Sequence, residues 1–245
     1  MNNKSYSKQL IMKNLSQDLM SSIGKAKFPS VVGDIMDTVA SSEVLKSIPV
    51  LGTCLAAYED SQNISTWYLT KKLYVFLNQL NNLNASEVCD LVYEIDNGDC
   101  KVRQHIGEVL IQIIDKSDNI ISTAYIALLF RHYVLKKISL DDFLEGARII
   151  NNMSITSLQS FLSVSDWSKI DEIDCRDYFR VGLVDRLDID EVRLFYGNSP
   201  NATYKVGKLY KKLSGIGRIV HDCLSSTPID WNNSRLLQIN LKEQE

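Results

Sequence analysis

The chain has 245 residues, of which 45% are hydrophobic and 23% are charged, and its formal net charge is −3. These values are ordinary for a globular protein that buries enough apolar surface to fold without disulfides or metals. The slightly negative charge argues against broad, non-specific binding of nucleic acid, but it leaves room for a local basic patch.

The residue types that usually carry chemistry do not form a recognisable motif. The five cysteines are odd in number and scattered, and no C-x-x-C occurs, so we expect buried thiols in a reducing cytoplasm. The three histidines stand at spacings that match no metal or catalytic site. The sequence also lacks a phosphate-binding loop, a dinucleotide-binding fingerprint and a nucleophile elbow. We therefore assign no catalytic, cofactor-binding or metal-binding residues and predict a protein that is not an enzyme.

Residues 1–164 are predicted to form an all-α bundle without a β-sheet. No proline lies between Pro49 and Pro200, which favours a long helical region. Within it, apolar residues recur at spacings of three and four, as the face of a helix requires. The expected helices are, in chain order, 5–23, a helix from Ser30 through Val39, 48–58, a helix capped by Ser65 or Thr66 and ending near Leu80, a helix from Asn84 or Ser86 through Ile95, 100–114, 117–136, 139–150 and 155–162.

Two of these helices carry further information. The helix at 117–136 is apolar around most of its circumference, so we expect it in the middle of the bundle. The next helix begins with Ser139 and Asp142 at the spacing of a capping box, in which the two residues exchange side-chain and backbone hydrogen bonds.

Residues 48–58 form the most hydrophobic segment of the chain. We predict a buried helix whose small residues Gly52, Ala56 and Ala57 permit close helix contact. The alternative is a segment that inserts into a membrane after a trigger, but the run is shorter than the ~20 apolar residues that a membrane-spanning helix needs. The N-terminus also lacks the apolar core of a secretory signal. A membrane is therefore not an expected partner.

Residues 165–245 are predicted to form a small α+β, winged-helix-like module with a C-terminal tail. A helix is expected over Cys175–Leu183, ending near Gly182. Extended segments are expected at 184–187, 193–196 and 204–210. Ser214 is a good N-cap for a final helix that ends near Leu224. A last strand followed by a closing helix is how a winged helix often ends.

This module contains the candidate nucleic-acid residues. Between Val192 and His221 the chain has basic side chains but no Asp or Glu, and such a wing can lie against phosphates. The helix that would enter a groove carries few donors and is flanked by Asp174 and Asp177, which counts against base reading. The candidates are Arg176 and Arg180 for sequence preference and Lys205, Lys208, Lys211 and Lys212 for phosphate contacts.

Three short segments resemble those of a loose group of uncharacterised bacterial accessory proteins. The chain has Ile-Pro-Val-Leu-Gly-Thr at 48–53, Lys-Lys-Leu at 71–73 and Lys-Ile-Ser-Leu-Asp-Asp-Phe-Leu at 137–144, followed by the winged-helix-like end. The similarity extends over residues 30–224. It implies the same combination of a helical bundle and a winged-helix-like module, and the accessory nature of these proteins suggests a role in phage defence or mobile-element conflict.

The sequence thus favours a mainly α, non-enzymatic, cytoplasmic protein without a cofactor that acts through contacts with a protein partner or with itself. One alternative is a regulator that binds nucleic acid through the C-terminal module. The other is a membrane-active effector that exposes residues 48–58. The identity of the partner is not encoded in any of these patterns.

Overall fold

The computed structural model describes residues 14–23, 35–81, 83, 100–164, 176–187, 210–225 and 229. Over this part of the chain the protein is mainly helical, as the sequence predicts, and residues 1–164 contain no strand where they are described. The elements are α1 (residues 14–22), α2 (Ile35–Ser41), α3 (Glu43–Lys46), α4 (Pro49–Ser61), α5 (Ile64–Gln79), α6 (Cys100–Lys116), α7 (Ile120–Val134), α8 (Leu140–Asn151), α9 (Ile155–Ser163), α10 (Arg176–Val181), β1 (Val184–Leu187), β2 (Tyr210–Leu213) and α11 (Gly215–Ser225).

Helix α4 contains the hydrophobic segment and is buried along one side only. Leu51 and Leu55 are buried in the core, as predicted. Gly52 permits a close approach, because a Cβ there would stand 2.6 Å from the carbonyl oxygen of Lys46. Ala56 and Ala57 are exposed, so the prediction that they mediate helix contacts is wrong. The reason is that the buried side of α4 is formed by Val50, Leu51, Cys54 and Leu55, and the two alanines lie outside it.

Helix α5 begins at a different cap from the two that the sequence suggested. Asn63 is the N-cap, and its side-chain oxygen accepts a hydrogen bond from the backbone N–H of Ser65 at 2.9 Å. Gln62 adopts a left-handed conformation (φ 47°) and donates its N–H to the carbonyl of Tyr58, which ends α4. Ser65 therefore already lies inside the first turn of α5 and cannot cap it.

The middle of the bundle is occupied by α7, as predicted. All residues of α7 except Arg131 and Tyr133 are buried. Phe130 packs against Phe76 of α5 and Phe143 of α8, with ring centroids 5.6 and 5.3 Å apart. This aromatic group joins the three helices into one core.

Helix α8 begins with the predicted capping box. Ser139 Oγ accepts a hydrogen bond from the N–H of Asp142 at 3.1 Å, and the Asp142 carboxylate accepts one from the N–H of Ser139 at 3.1 Å. The reciprocal bonds satisfy two backbone donors that the first turn of a helix leaves unpaired.

The described C-terminal elements are a helix, two strands and a helix, which agrees with the predicted helix at 175–183, the strand at 184–187 and the final helix after Ser214. Helix α10 ends before Gly182, whose φ of 86° only glycine adopts readily. Strands β1 and β2 are antiparallel, with Val184 opposite Leu213. Over the described residues the second strand is Tyr210–Leu213, so it continues past Tyr210, where the sequence predicted its end. Leu213 at its end pairs with Val184, which is buried.

Helix α11 is joined closely to the sheet. Ser214 Oγ accepts a hydrogen bond from the N–H of Gly217 at 2.9 Å, which makes it the predicted cap, and it donates one to the carbonyl of Gly182 at 2.6 Å. Val220 of α11 packs against Gly146 of α8. The buried residues of the C-terminal elements and of the bundle belong to one hydrophobic cluster.

Some sequence predictions lie outside the described residues. They are residues 5–13 of the first helix, residues 30–34 of the second, the helix at 84–95, the extended segment at 193–196, Lys205 and Lys208, the part of the predicted strand at 204–209, and the tail at 226–228 and 230–245.

Candidate functional site

The arginines proposed for sequence recognition lie on α10, which has six residues. Arg176 is exposed. Arg180 is exposed as well, but its guanidinium lies 3.8 Å from the carboxylate of Asp177 and donates a hydrogen bond to the carbonyl of Asn152 at 3.3 Å. These contacts direct the Arg180 side chain towards the α8–α9 connection.

The two described lysines of the predicted phosphate-binding group lie in β2. Lys212 stands opposite Asp185 of β1, while Lys211 stands opposite Arg186. Arg186 was not among the residues selected from the sequence. The sequence feature that could have identified Arg186 was its position in a predicted short strand that pairs with a lysine-rich strand.

A shallow cavity of about 410 Å³ lies at the connection between α7 and α8. The polar side chains of its lining belong to Tyr133, Lys136, Lys137, Ser139 and Asp142. Ser139 Oγ donates a hydrogen bond to the Asp142 carboxylate at 2.7 Å, in addition to the backbone bonds of the capping box. The hydrogen bonds of Ser139 and Asp142 are therefore used to cap the N-terminus of α8.

Two titratable side chains that interact with the lining residue Lys137, His132 and Cys223, have pKa values shifted towards the neutral form. His132 is 8% exposed, and burial, reinforced by the positive charge of Lys137, lowers the pKa of its imidazole. Burial raises the pKa of the Cys223 thiol to about 11, and in the N-terminal half it raises the pKa of Cys54 to about 12. A thiol must ionise to act as a nucleophile, so both cysteines are unreactive near neutral pH.

The turn between α4 and α5 presents an exposed apolar pair at its tip. Ile64 is 72% exposed and Tyr68 is 48% exposed. They are four residues apart on α5, so they lie on the same side of the helix, one turn from each other. We call the exposed end of this helical hairpin, residues 57–68, the hairpin tip.

The aromatic side chains of the hairpin tip are ordered by their neighbours. The rings of Trp67 and Tyr68 meet edge to face, with centroids 5.0 Å apart. The ammonium group of Lys71 lies 3.5 Å from the centroid of the Trp67 ring, within the range of a cation–π interaction. Lys71 is only 7% exposed and adds little positive charge to the surface.

The exposed charged residues of the hairpin tip are Glu59 and Asp60, at the end of α4. The next lysine along α5, Lys72, is also buried, and its ammonium group donates a hydrogen bond to the carbonyl of Asp115 at 2.8 Å. Burial lowers the pKa of Lys72, and the nearby carboxylates oppose this effect. The lysines thus face the bundle while the carboxylates face solvent.

Ile64 and Tyr68 were missed by the sequence analysis. The apolar stripe predicted for α5 included Leu69, Leu73 and Leu80, which face the core. Ile64 and Tyr68 fall outside that stripe. Ile64 and Tyr68 could have been identified from the sequence as large apolar residues that lie outside the predicted buried face of α5.

Three further observations concern the chemistry of the surface. Among the described residues, no group of three or more His, Cys, Asp or Glu side chains is arranged to hold a metal ion. None of the helices in the described ranges is both long and apolar enough to cross a membrane. No protein family, curated protein or solved structure matches the chain. The resemblance to bacterial accessory proteins and the role in phage defence that it suggests therefore remain predictions.

Proposed function

We propose that this chain is a non-enzymatic interaction protein that binds a protein partner through the hairpin tip. The observation that carries the proposal is the exposure of Ile64 and Tyr68 one helical turn apart. Apolar anchors at i and i+4 are the feature by which a helix is recognised in a complementary partner surface. Tyrosine is also enriched among the residues that contribute most to the binding energy of interfaces.

The rigidity of the hairpin tip supports this proposal. Gln62 and Asn63 fix the turn by backbone and capping hydrogen bonds. Trp67 is held between Tyr68 and the ammonium group of Lys71. A surface that is ordered before binding loses less conformational entropy when the complex forms.

Photo-crosslinking tests the proposal. A photoreactive residue at position 64 is compared with one at position 44, because Val44 is also an exposed apolar residue (59%) but lies on α3. The protein that crosslinks from position 64 is identified by mass spectrometry and purified. Its affinity is then measured by calorimetry for the wild type, for Ile64→Ser/Tyr68→Ser and for Val44→Ser.

We expect the double variant to weaken the complex by at least about 100-fold, since two central anchors are lost. The Val44→Ser variant should bind like the wild type. Equal affinity of the wild type and the Ile64→Ser/Tyr68→Ser variant for the purified partner would refute the proposal, and so would the same set of crosslinked proteins from positions 44 and 64.

For residues 165–245 we propose a winged-helix-like module that closes the bundle. The order of α10, β1, β2 and α11 supports this, and so does the burial of Val220 and Leu224 of α11 in the common core. In this arrangement the module stabilises the fold and leaves partner binding to the hairpin tip.

A second candidate function is nucleic-acid binding by this module. The observation that favours it is the strand register that sets Lys211 opposite Arg186, because it brings two basic residues to one place in the sheet and basic residues supply phosphate contacts. Replacing Lys205, Lys208, Lys211 and Lys212 with alanine should then weaken binding equally on different DNA sequences. The slope of log K against log salt should fall by up to about four units, since each cation displaces a counterion.

Fluorescence anisotropy with labelled duplexes measures both quantities, and Arg176→Ala/Arg180→Ala provides the test of sequence preference. We expect no measurable binding by the wild type near physiological salt. Submicromolar, sequence-selective binding under those conditions would make nucleic-acid binding the leading function.

A further inference from the structure

The charges of the hairpin tip indicate what kind of partner fits it. Throughout residues 57–68 the exposed charged side chains are the carboxylates of Glu59 and Asp60. The nearest cations of α5, Lys71 and Lys72, are each only 7% exposed and are directed at Trp67 and at the carbonyl of Asp115. Within residues 57–68 the apolar pair is therefore accompanied by negative charge alone.

The carboxylates are close enough to act on the same ligand as the apolar pair. Helices α4 and α5 are joined by a two-residue turn, Gln62 and Asn63, and pack against each other. Residues at equal distance from the turn therefore lie at the same height, which places Asp60 level with Ser65, between Ile64 and Tyr68. One helical turn rises about 5.4 Å, so these groups lie within roughly a Debye length of each other along the hairpin.

We propose that the hairpin tip binds a basic amphipathic helix of a partner protein. The apolar face of that helix packs on Ile64 and Tyr68, and its lysine or arginine side chains lie beside Glu59 and Asp60. This inference rests on the proposed function and adds the chemistry of the partner. Charge complementarity of this kind increases the rate of association and disfavours acidic competitors.

A second copy of the chain fits the hairpin tip less well. An isologous dimer would bring the same surface of both copies together, and Glu59 and Asp60 of one copy would face those of the other. The charges thus favour a different, basic partner.

Two synthetic peptides serve as probes. Both are 18-residue helices with a leucine face; one carries lysine and the other glutamate on the polar face. Each is labelled with fluorescein, and binding to the intact protein is followed by anisotropy at 50 mM and 500 mM NaCl. The proteins are the wild type, Ile64→Ser/Tyr68→Ser, Glu59→Gln/Asp60→Asn and a matched charge control, Asp141→Asn/Glu145→Gln, in which two exposed carboxylates on α8 are removed.

We expect the lysine peptide to bind the wild type at least about tenfold more tightly than the glutamate peptide, and less tightly at 500 mM NaCl, because salt screens exposed charges. Ile64→Ser/Tyr68→Ser should lose at least about tenfold in affinity. Glu59→Gln/Asp60→Asn should lose about three- to tenfold, as expected for two exposed charge pairs, while the control should stay within about twofold of the wild type. Circular dichroism checks that every variant is folded, and all the substituted side chains are exposed.

The possible failures are distinguishable. If both peptides bind equally and both depend on Ile64 and Tyr68, the basic partner is refuted while the hairpin tip remains a contact surface. If neither peptide binds, or if binding does not depend on Ile64 and Tyr68, the basic-helix inference is refuted. The proposed function then depends on the crosslinking experiment alone. An equal loss in the α8 control would show non-specific attraction to acidic protein. A dimer of the wild type in sedimentation that is abolished by Ile64→Ser/Tyr68→Ser would identify a second copy as the occupant.

Discussion

Replacing Gly217 with alanine tests how firmly the C-terminal elements are joined to the bundle. Gly217 lies in the first turn of α11, directly against the backbone at Leu183, just before β1. An alanine Cβ at this position would stand 1.9 Å from the carbonyl oxygen of Leu183 and 2.8 Å from its carbonyl carbon. Because the obstacle is backbone, no change of side-chain rotamer can relieve the clash.

The energetic cost follows from what has to move. A separation of at least 3.0 Å from the Leu183 oxygen requires a shift of more than 1 Å. Overpacking of this kind costs roughly 1–3 kcal/mol. The same shift weakens the hydrogen bond from the N–H of Ser214 to Leu183 (3.1 Å), worth about 1 kcal/mol. We therefore expect the free energy of unfolding to fall by about 3 kcal/mol.

The chain offers a matched control two residues earlier. Gly215 is exposed, and an alanine Cβ there would meet nothing within 4 Å. Alanine is a better helix former than glycine, so Gly215→Ala should leave stability unchanged or raise it by up to about 1 kcal/mol. Urea unfolding followed by circular dichroism at 222 nm measures both variants.

The outcome that would contradict this reasoning is simple to recognise. If Gly217→Ala unfolds within about 1 kcal/mol of Gly215→Ala, α11 does not pack against Leu183 as described. If Gly217→Ala instead separates the transition into two, the C-terminal elements unfold independently, and the common core does not make one cooperative unit.

Two further predictions concern the core and its pH dependence. Leu51→Asp should yield insoluble or unfolded protein, because Leu51 is fully buried and the variant buries a charge without a partner. Ala57→Asp, on the exposed side of the same helix, should fold normally. Soluble expression and thermal unfolding distinguish the two variants, and a folded Leu51→Asp variant would contradict the buried placement. Burial and the charge of Lys137 lower the pKa of His132, so the unfolded chain binds more protons at this residue than the folded chain does. The free energy of unfolding should therefore decrease as the pH falls from 7 through the ordinary histidine range, by up to about 1.4 kcal/mol per pH unit. His132→Gln should reduce that slope in urea titrations between pH 7 and pH 5, and an unchanged slope would show that other groups cause it.

Helices and caps were the most predictable part of the fold, because their signals are local. Ser139 and Asp142, and likewise Ser214, are identified by spacing and side-chain chemistry within one turn, and the structure places them as predicted. At α5 the same reasoning gave the wrong residue. Asn63 and Ser65 are both good caps, and which one is used depends on where the left-handed residue that ends α4 lies. That residue is Gln62, whereas a glycine is the usual sequence signal for a left-handed position.

The strand pairing was less predictable because it is non-local. Tyr210–Leu213 pairs with a segment 23 residues or more away, and its position follows from the burial of Val184 against the core. Alternation in the sequence cannot fix such a register, because it is broken within the segment, where Leu209 and Tyr210 are both apolar and Lys211 and Lys212 are both basic.

The hairpin tip was missed for a related reason. Periodicity identifies the face of a helix that is buried, but exposure depends on which neighbours cover the other faces. From Thr70 onwards every residue of α5 is buried, including its two lysines, whereas Ile64, Ser65 and Tyr68 near its start are exposed. The sequence of α5 changes little in polarity at this boundary, and only the packing reveals it.

This division of α5 explains how one helix can serve both stability and binding. Its inner part, which includes Phe76, packs against α7 and is part of the core, so substitutions there should unfold the protein. Its outer part carries Ile64 and Tyr68, which are exposed. Removing them leaves the core intact and loses the ring contact between Tyr68 and Trp67, so stability should fall by no more than about 0.5–1.5 kcal/mol. Because the outer part continues the same rigid helix, a bound partner is held against a surface that the core keeps in place. Loss of binding with only a small loss of stability is therefore the property that separates a contact surface from a structural one in this protein.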